Sequence, residues 1–143
     1  MAGPFIPFIR KLNLNALFAG FAAIFIAFAI SGEIILRFYS QPLQPWFDIV
    51  WTIRAGFPFF LGGYLTAWIA KDAPLLNSVF LATTFPLITI YTVLSGMNSD
   101  PIPDLAVAAL AKFVLCSLGG VARIWLASRQ RIKIGSELEG RKG

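Results

Sequence analysis

Histidine is absent from the 143 residues of this chain. Its absence removes imidazole metal ligation, an axial histidine for haem and histidine-based proton transfer. Cysteine occurs once, at Cys116. A lone thiol forms neither an internal disulfide nor a cysteine metal cluster. Acidic residues number seven, and none pairs closely with another inside an apolar stretch; Glu137 and Glu139 sit in the polar C-terminal tail. No phosphate-binding glycine loop, nucleotide motif or nucleophile elbow occurs, and Gly62-Gly63 lies too deep in an apolar stretch to cradle a phosphate. No metal and no cofactor is expected, and the chain reads as a non-enzyme. The one exception is a lipid-acting membrane enzyme, which requires a polar pocket at head-group depth that the sequence alone does not mark.

Charge is also scarce. Only 13% of residues are charged while 57% are apolar, against roughly a quarter charged in soluble proteins. Mean hydropathy is +0.74. A chain this short cannot hide so much apolar surface in one core, so most of it belongs in lipid. Soluble enzymes and nucleic-acid modules are excluded by the same arithmetic, despite a net charge of +5.

About 20 mostly apolar residues are needed to cross a bilayer as a helix. Four stretches qualify: 14–36, 49–70, 75–95 and 105–127. Helices are the economical reading, because lipid requires backbone groups to be satisfied within the segment and no period-two alternation marks a barrel. The connectors Ser40 to Pro45, Lys71 to Pro74 and Gly96 to Asp104 carry the breaks, with Pro101 and Pro103 blocking continuation and Asp104 available as N-cap of the last helix. Such short loops predict antiparallel neighbours. The expected fold is an all-α integral membrane protein: one compact antiparallel bundle of four transmembrane helices over 14–127. A segment 1–13 precedes it, and a basic tail over 128–143 follows, with Gly135 onward loosely ordered.

If the spans alternate, Arg10, Lys11, Lys71, Arg129, Arg131 and Lys133 fall on one side. The positive-inside bias makes that side, and both termini, cytoplasmic. These six side chains are the candidate contacts to anionic lipid head groups. Trp51 then marks the outer boundary and Trp68 and Trp125 the inner one. The N-terminal stretch also has signal-peptide features, a basic flank and Ala27-Phe28-Ala29, but its apolar run exceeds a signal core and reads as the first anchor. The architecture is similar to that of compact four-helix bacterial membrane proteins, which implies the bacterial inner membrane.

Leu61-Gly62-Gly63 through Trp68 and Ala70 recurs as Leu118-Gly119-Gly120 through Trp125 and Ala127, at an offset of 57 residues. The match arises either from two duplicated helical hairpins or from convergence. Either way, helices in lipid associate through small residues that let backbones approach. Gly20, Gly56, Gly62, Gly63, Gly119 and Gly120 are the candidate packing positions. They serve packing inside the bundle or contact with another subunit.

Glu33, Arg54 and Lys112 are the charges inside apolar stretches, and each costs around 3 kcal/mol near mid-membrane unless it meets protein or water. Pairing of Glu33 with Arg54 or Lys112 is the expected relief. The cluster serves as a register-fixing ion pair, a docking site for another subunit, or an ion-handling site. Lys112, Cys116, Gly119 and Arg123 share a helix face expected to meet protein. In the third span Pro86 frees the Ala82 carbonyl, which a nearby threonine is expected to satisfy. The leading expectation is a small membrane accessory, assembly or scaffolding protein, a homo-oligomer or part of a larger complex, with no nucleic-acid partner. The alternative is a small transporter or channel subunit using Glu33, Arg54 and Lys112.

Overall fold

The computed structural model describes residues 11–38, 47–97 and 100–139, with side chains described over 11–34, 49–97 and 100–130. It is all-helical among those residues: α1 Leu14–Phe38, α2 Phe47–Ile69, α3 Pro74–Leu94 and α4 Ile102–Glu139. The four pack compactly. Three are long and apolar enough to cross a membrane, over Leu14–Ile34, Pro74–Leu94 and Ile102–Gln130. At 23 residues α2 is as long, but Arg54, its glycines and Pro58 make it less apolar. Phe18 and Phe25 are each 71% exposed and Leu94 82%, which is the outer surface of a membrane protein and not of a soluble one.

Local chemistry sets most of the helix ends. Asn13 caps α1, its Oδ1 accepting the Ala16 N–H at 3.1 Å. Pro74 occupies the first turn of α3, whose start has no side-chain cap. The end of α3 is a Schellman turn: Met97 N–H donates to Thr92 O at 3.0 Å and Gly96 N–H to Val93 O at 3.1 Å. Gly96 takes φ +66° there, a left-handed conformation that glycine adopts without steric cost.

The last helix departs from expectation at both ends. Asp104 is not its N-cap but lies within its first turn; its N–H donates to Pro101 O at 3.0 Å. Pro103 is tolerated so early because a first-turn N–H has no intrahelical partner to lose. At the other end α4 runs on to Glu139, so as far as that residue the basic tail is a helical extension. Its Arg, Gln, Lys, Leu and Glu residues are good helix formers, and one glycine costs only about 1 kcal/mol.

The contacts are not those of sequential hairpins alone. The most extensive contact joins α2 and α4; α1 with α2 and α3 with α4 come next, α2 with α3 is smaller, α1 with α3 smaller still, and among the described residues α1 and α4 do not meet. Glycine explains the ranking. A Cβ on Gly63 would collide with the Cys116 carbonyl, and one on Gly119 with the Phe60 carbonyl. The two backbones therefore touch. Gly62 and Gly20 bring α1 onto α2 in the same way, with Ile24 filling the notch at Gly62, while Gly120 seats Ser78 of α3. Gly62 thus faces the preceding helix, whereas its repeat counterpart Gly119 faces α2. The sequence match does not carry over to the contacts. On α1, the buried face is Ala16, Leu17, Gly20 and Ile24, and Ala23 and Ala27 are only half-buried.

Around this junction Leu17, Ile24, Phe59, Leu81, Ala82 and Cys116 form the core. Phe59 is its hub, with Phe28 at 5.4 Å and Phe85 at 4.8 Å, both near edge-on; Phe21 reaches Phe85 at 6.0 Å. Such pairs each contribute about 0.5–1.5 kcal/mol beyond area burial. Polar groups in the core are matched to carbonyls. Fully buried Asn77 accepts the Asn13 N–H at 2.7 Å and donates to Lys11 O at 3.1 Å and Ala73 O at 2.8 Å. It stitches the start of α1 to the start of α3.

Two outcomes are expected. Gly63→Val destabilises the protein in detergent micelles by at least about 2 kcal/mol, while Leu118→Ala on the outer face of α4 shifts it by under about 0.5 kcal/mol. Reversible unfolding followed by helical signal reads both. Asn77→Ala strands the Asn13 amide and costs about 1–3 kcal/mol, with faster hydrogen exchange at that amide.

Candidate functional site

The intrahelical charges sit on three different helices. Glu33 is exposed on α1. Arg54, half-buried on α2, lies against Gly32, where a Cβ would come within 3.0 Å of its guanidinium. That places it next to the residue preceding Glu33. Its carbon Cζ stands 4.6 Å from the centre of the Trp51 ring, close enough for a cation–π contact. Its Nε is buried without a hydrogen-bond partner. Lys112, half-buried on α4, directs its ammonium over Phe59 at 5.7 Å. Both cations therefore meet aromatic faces. The face predicted to meet protein holds buried Cys116 and Gly119 between half-buried Lys112 and Arg123.

Most of the described hydroxyl groups donate to backbone, whereas Ser117 Oγ is buried without a partner. Thr66 donates to Gly62 O at 2.9 Å, and Ser78 to Gly63 O at 2.8 Å and Pro74 O at 3.1 Å. The Ser78 bond crosses between α3 and α2 at the glycine junction. Along α3, Thr83, Thr84, Thr89 and Thr92 donate to Val79, Leu81, Phe85 and Thr89 carbonyls. None of these is the Ala82 carbonyl that Pro86 frees. The threonine χ1 rotamers favour the carbonyl three or four residues back, which fixes their acceptors whatever Pro86 releases.

Cavities open at both ends of the bundle among the described residues. One of about 400 Å³ is an apolar cleft between the second half of α3 and the first half of α4, from Pro86 to Leu110. One of about 330 Å³ lies at the opposite end, between Lys11, Asp72 and Asn77. The third, about 430 Å³, lies at that same end among Trp68, Lys71, Pro74, Arg123 and Ser128. None of the three has Glu33, Arg54 or Lys112 in its wall. Among the described residues no group of histidine, cysteine and carboxylate side chains is placed to hold a metal.

Of the predicted head-group cations, Lys11 and Lys71 are exposed at the end that holds the two polar cavities. Arg129 stacks on Trp125 at 4.0 Å. Arg10 and the side chains of Arg131 and Lys133 lie outside the described residues. The 430 Å³ pocket escapes a sequence reading because its walls come from three helices. Its signal is a basic residue close to the inner tryptophan of each repeat: Lys71 after Trp68, Arg123 before Trp125. Comparison of the chain with known families, curated proteins and solved structures found no match.

A double-mutant cycle tests the aromatic seat of Arg54. Arg54→Gln and Trp51→Leu should couple by about 0.5–1 kcal/mol, read from unfolding in micelles. Additive effects mean that the contact carries no energy.

Proposed function

We propose that this chain is a multi-pass inner-membrane protein of accessory or assembly type, working through helix packing and without catalysis of its own. The carrying observation is that Arg54 and Lys112 lie against aromatic rings and outside the walls of the cavities described, while the buried Thr66 and Ser78 hydroxyls are bonded to backbone carbonyls. A transport path needs polar groups facing water.

In this reading α2 is the fourth span. Its Arg54 lies near one end beside Trp51, and its glycines are shielded by α1 and α4, so a less apolar helix is tolerated in the membrane. An antiparallel arrangement of consecutive helices draws support from α1 and α2, where Gly20 with Thr66, Ile24 with Gly62 and Gly32 with Arg54 pair falling with rising numbers. Gathering of Lys11, Lys71 and Arg123 at one end of the bundle supports a cytoplasmic location for that end. A second reading, a small transporter or channel subunit, draws on one observation, the unpartnered Nε of Arg54.

Cross-linking in native membranes followed by purification in mild detergent tests the assembly role. A homo-oligomer or a stoichiometric second chain is expected. A strictly monomeric protein with no co-purifying chain contradicts it, and ion flux in liposomes abolished by Arg54→Gln would establish the second reading instead.

A further inference from the structure

We infer that the 430 Å³ pocket at the Lys71 end is a binding site for the phosphate of an anionic phospholipid. The close contact of α2, α3 and α4 ends where Gly120 meets Ser78 and Ala67. One turn further along α4 the helices leave a pocket, with Lys71 and Trp68 on one wall, Arg123 and Ser128 on another and Pro74 on the third. Its two ionisable side chains are both cationic. The nearest acid on the same connector, Asp72, lines the neighbouring cavity instead.

Among the described residues neither Lys71 nor Arg123 has a hydrogen-bond or ion-pair partner for its charged group. The neighbouring cation Arg129 is stacked on Trp125, so the two in the pocket are the ones left for an anion. The start of α3 adds to the field. It has no side-chain cap and opens with Pro74 at this pocket, so its positive dipole end faces the same space.

The apolar part of the wall selects the source of the phosphate. Ala67, Ile124 and Ala127 complete the lining, and Trp68 and Ile124 are also exposed on the outer surface. A head group seated between Lys71 and Arg123 thus leaves its acyl chains running along apolar helix surface, which a free anion does not need. Basic pockets between membrane helices at this depth suit anionic lipid head groups.

Thermal unfolding of the full chain in neutral detergent micelles tests the site, with added phosphatidylglycerol, phosphatidylcholine or sodium phosphate as probes. Phosphatidylglycerol is expected to raise Tm by about 4 °C or more, and the other two to leave it within about 1 °C. Lys71→Gln and Arg123→Gln should each lose at least half of the rise, Arg123→Lys should retain most of it, and Arg129→Gln should leave it intact. An equal rise with sodium phosphate would make the occupant a free anion and overturn the proposal. So would an equal rise with phosphatidylcholine, or a response to phosphatidylglycerol undiminished in both glutamine variants or equally diminished in Arg129→Gln. Tm of each variant in phosphatidylcholine gives its baseline, so a general loss of stability is separated from loss of the response.

Discussion

Contact between the backbones of α2 and α4 governs the rest of this structure. In lipid the hydrophobic effect gives helices little reason to prefer one another over acyl chains, and close packing has to supply the preference. Here it does so at Gly63 against Cys116 and Gly119 against Phe60, positions where any side chain would collide with backbone. The remaining arrangement follows. α3 settles into the angle between α2 and α4 with Ser78 on Gly120, and α1 docks on α2 through Gly20 and Gly62 while also meeting α3. Because α2 and α4 have closed up, α1 and α4 are kept apart.

The same low-dielectric setting dictates what the polar side chains do. A buried hydroxyl or amide without a partner costs more in lipid than in water, and almost every such group described finds a carbonyl within its own helix or one neighbour. Asn77 and Ser78 go further and bridge helices. Polar atoms so engaged hold the geometry of the bundle. The free charge instead lies at the end of the bundle, where Lys71 and Arg123 face a pocket.

Much of the helical framework was legible from composition and run length, since a chain with 57% apolar residues has few other solutions. Helix starts written in short-range chemistry were legible in part. Pro74, read as the end of a connector, opens α3 instead, and Asp104 was passed over as a cap because Pro103 entered the first turn. That glycines would be packing candidates was readable; Gly62, Gly63, Gly119 and Gly120 are buried and Gly56 is half-buried. Which helix each would meet was not, because that depends on rotation of whole helices and not on spacing within one. The charges show the same boundary. Their cost was evident from sequence, but the aromatic rings beside Arg54 and Lys112 come from packing. Asn77 looked like one polar residue among many on its helix, and only the fold brings it to Asn13 and Lys11.

The side-by-side packing of α2 and α4, helices separated in sequence by all of α3, is best tested with a paired cysteine substitution. A Cβ on Gly56 would lie 2.9 Å from the Leu115 side chain, so Gly56→Cys with Leu115→Cys in a Cys116→Ser background puts two thiols on facing surfaces of α2 and α4. Oxidation in lipid bilayers should give rapid, nearly complete intramolecular disulfide. Absence of a bridge, or bridging only between chains, would contradict glycine contact as the basis of the fold.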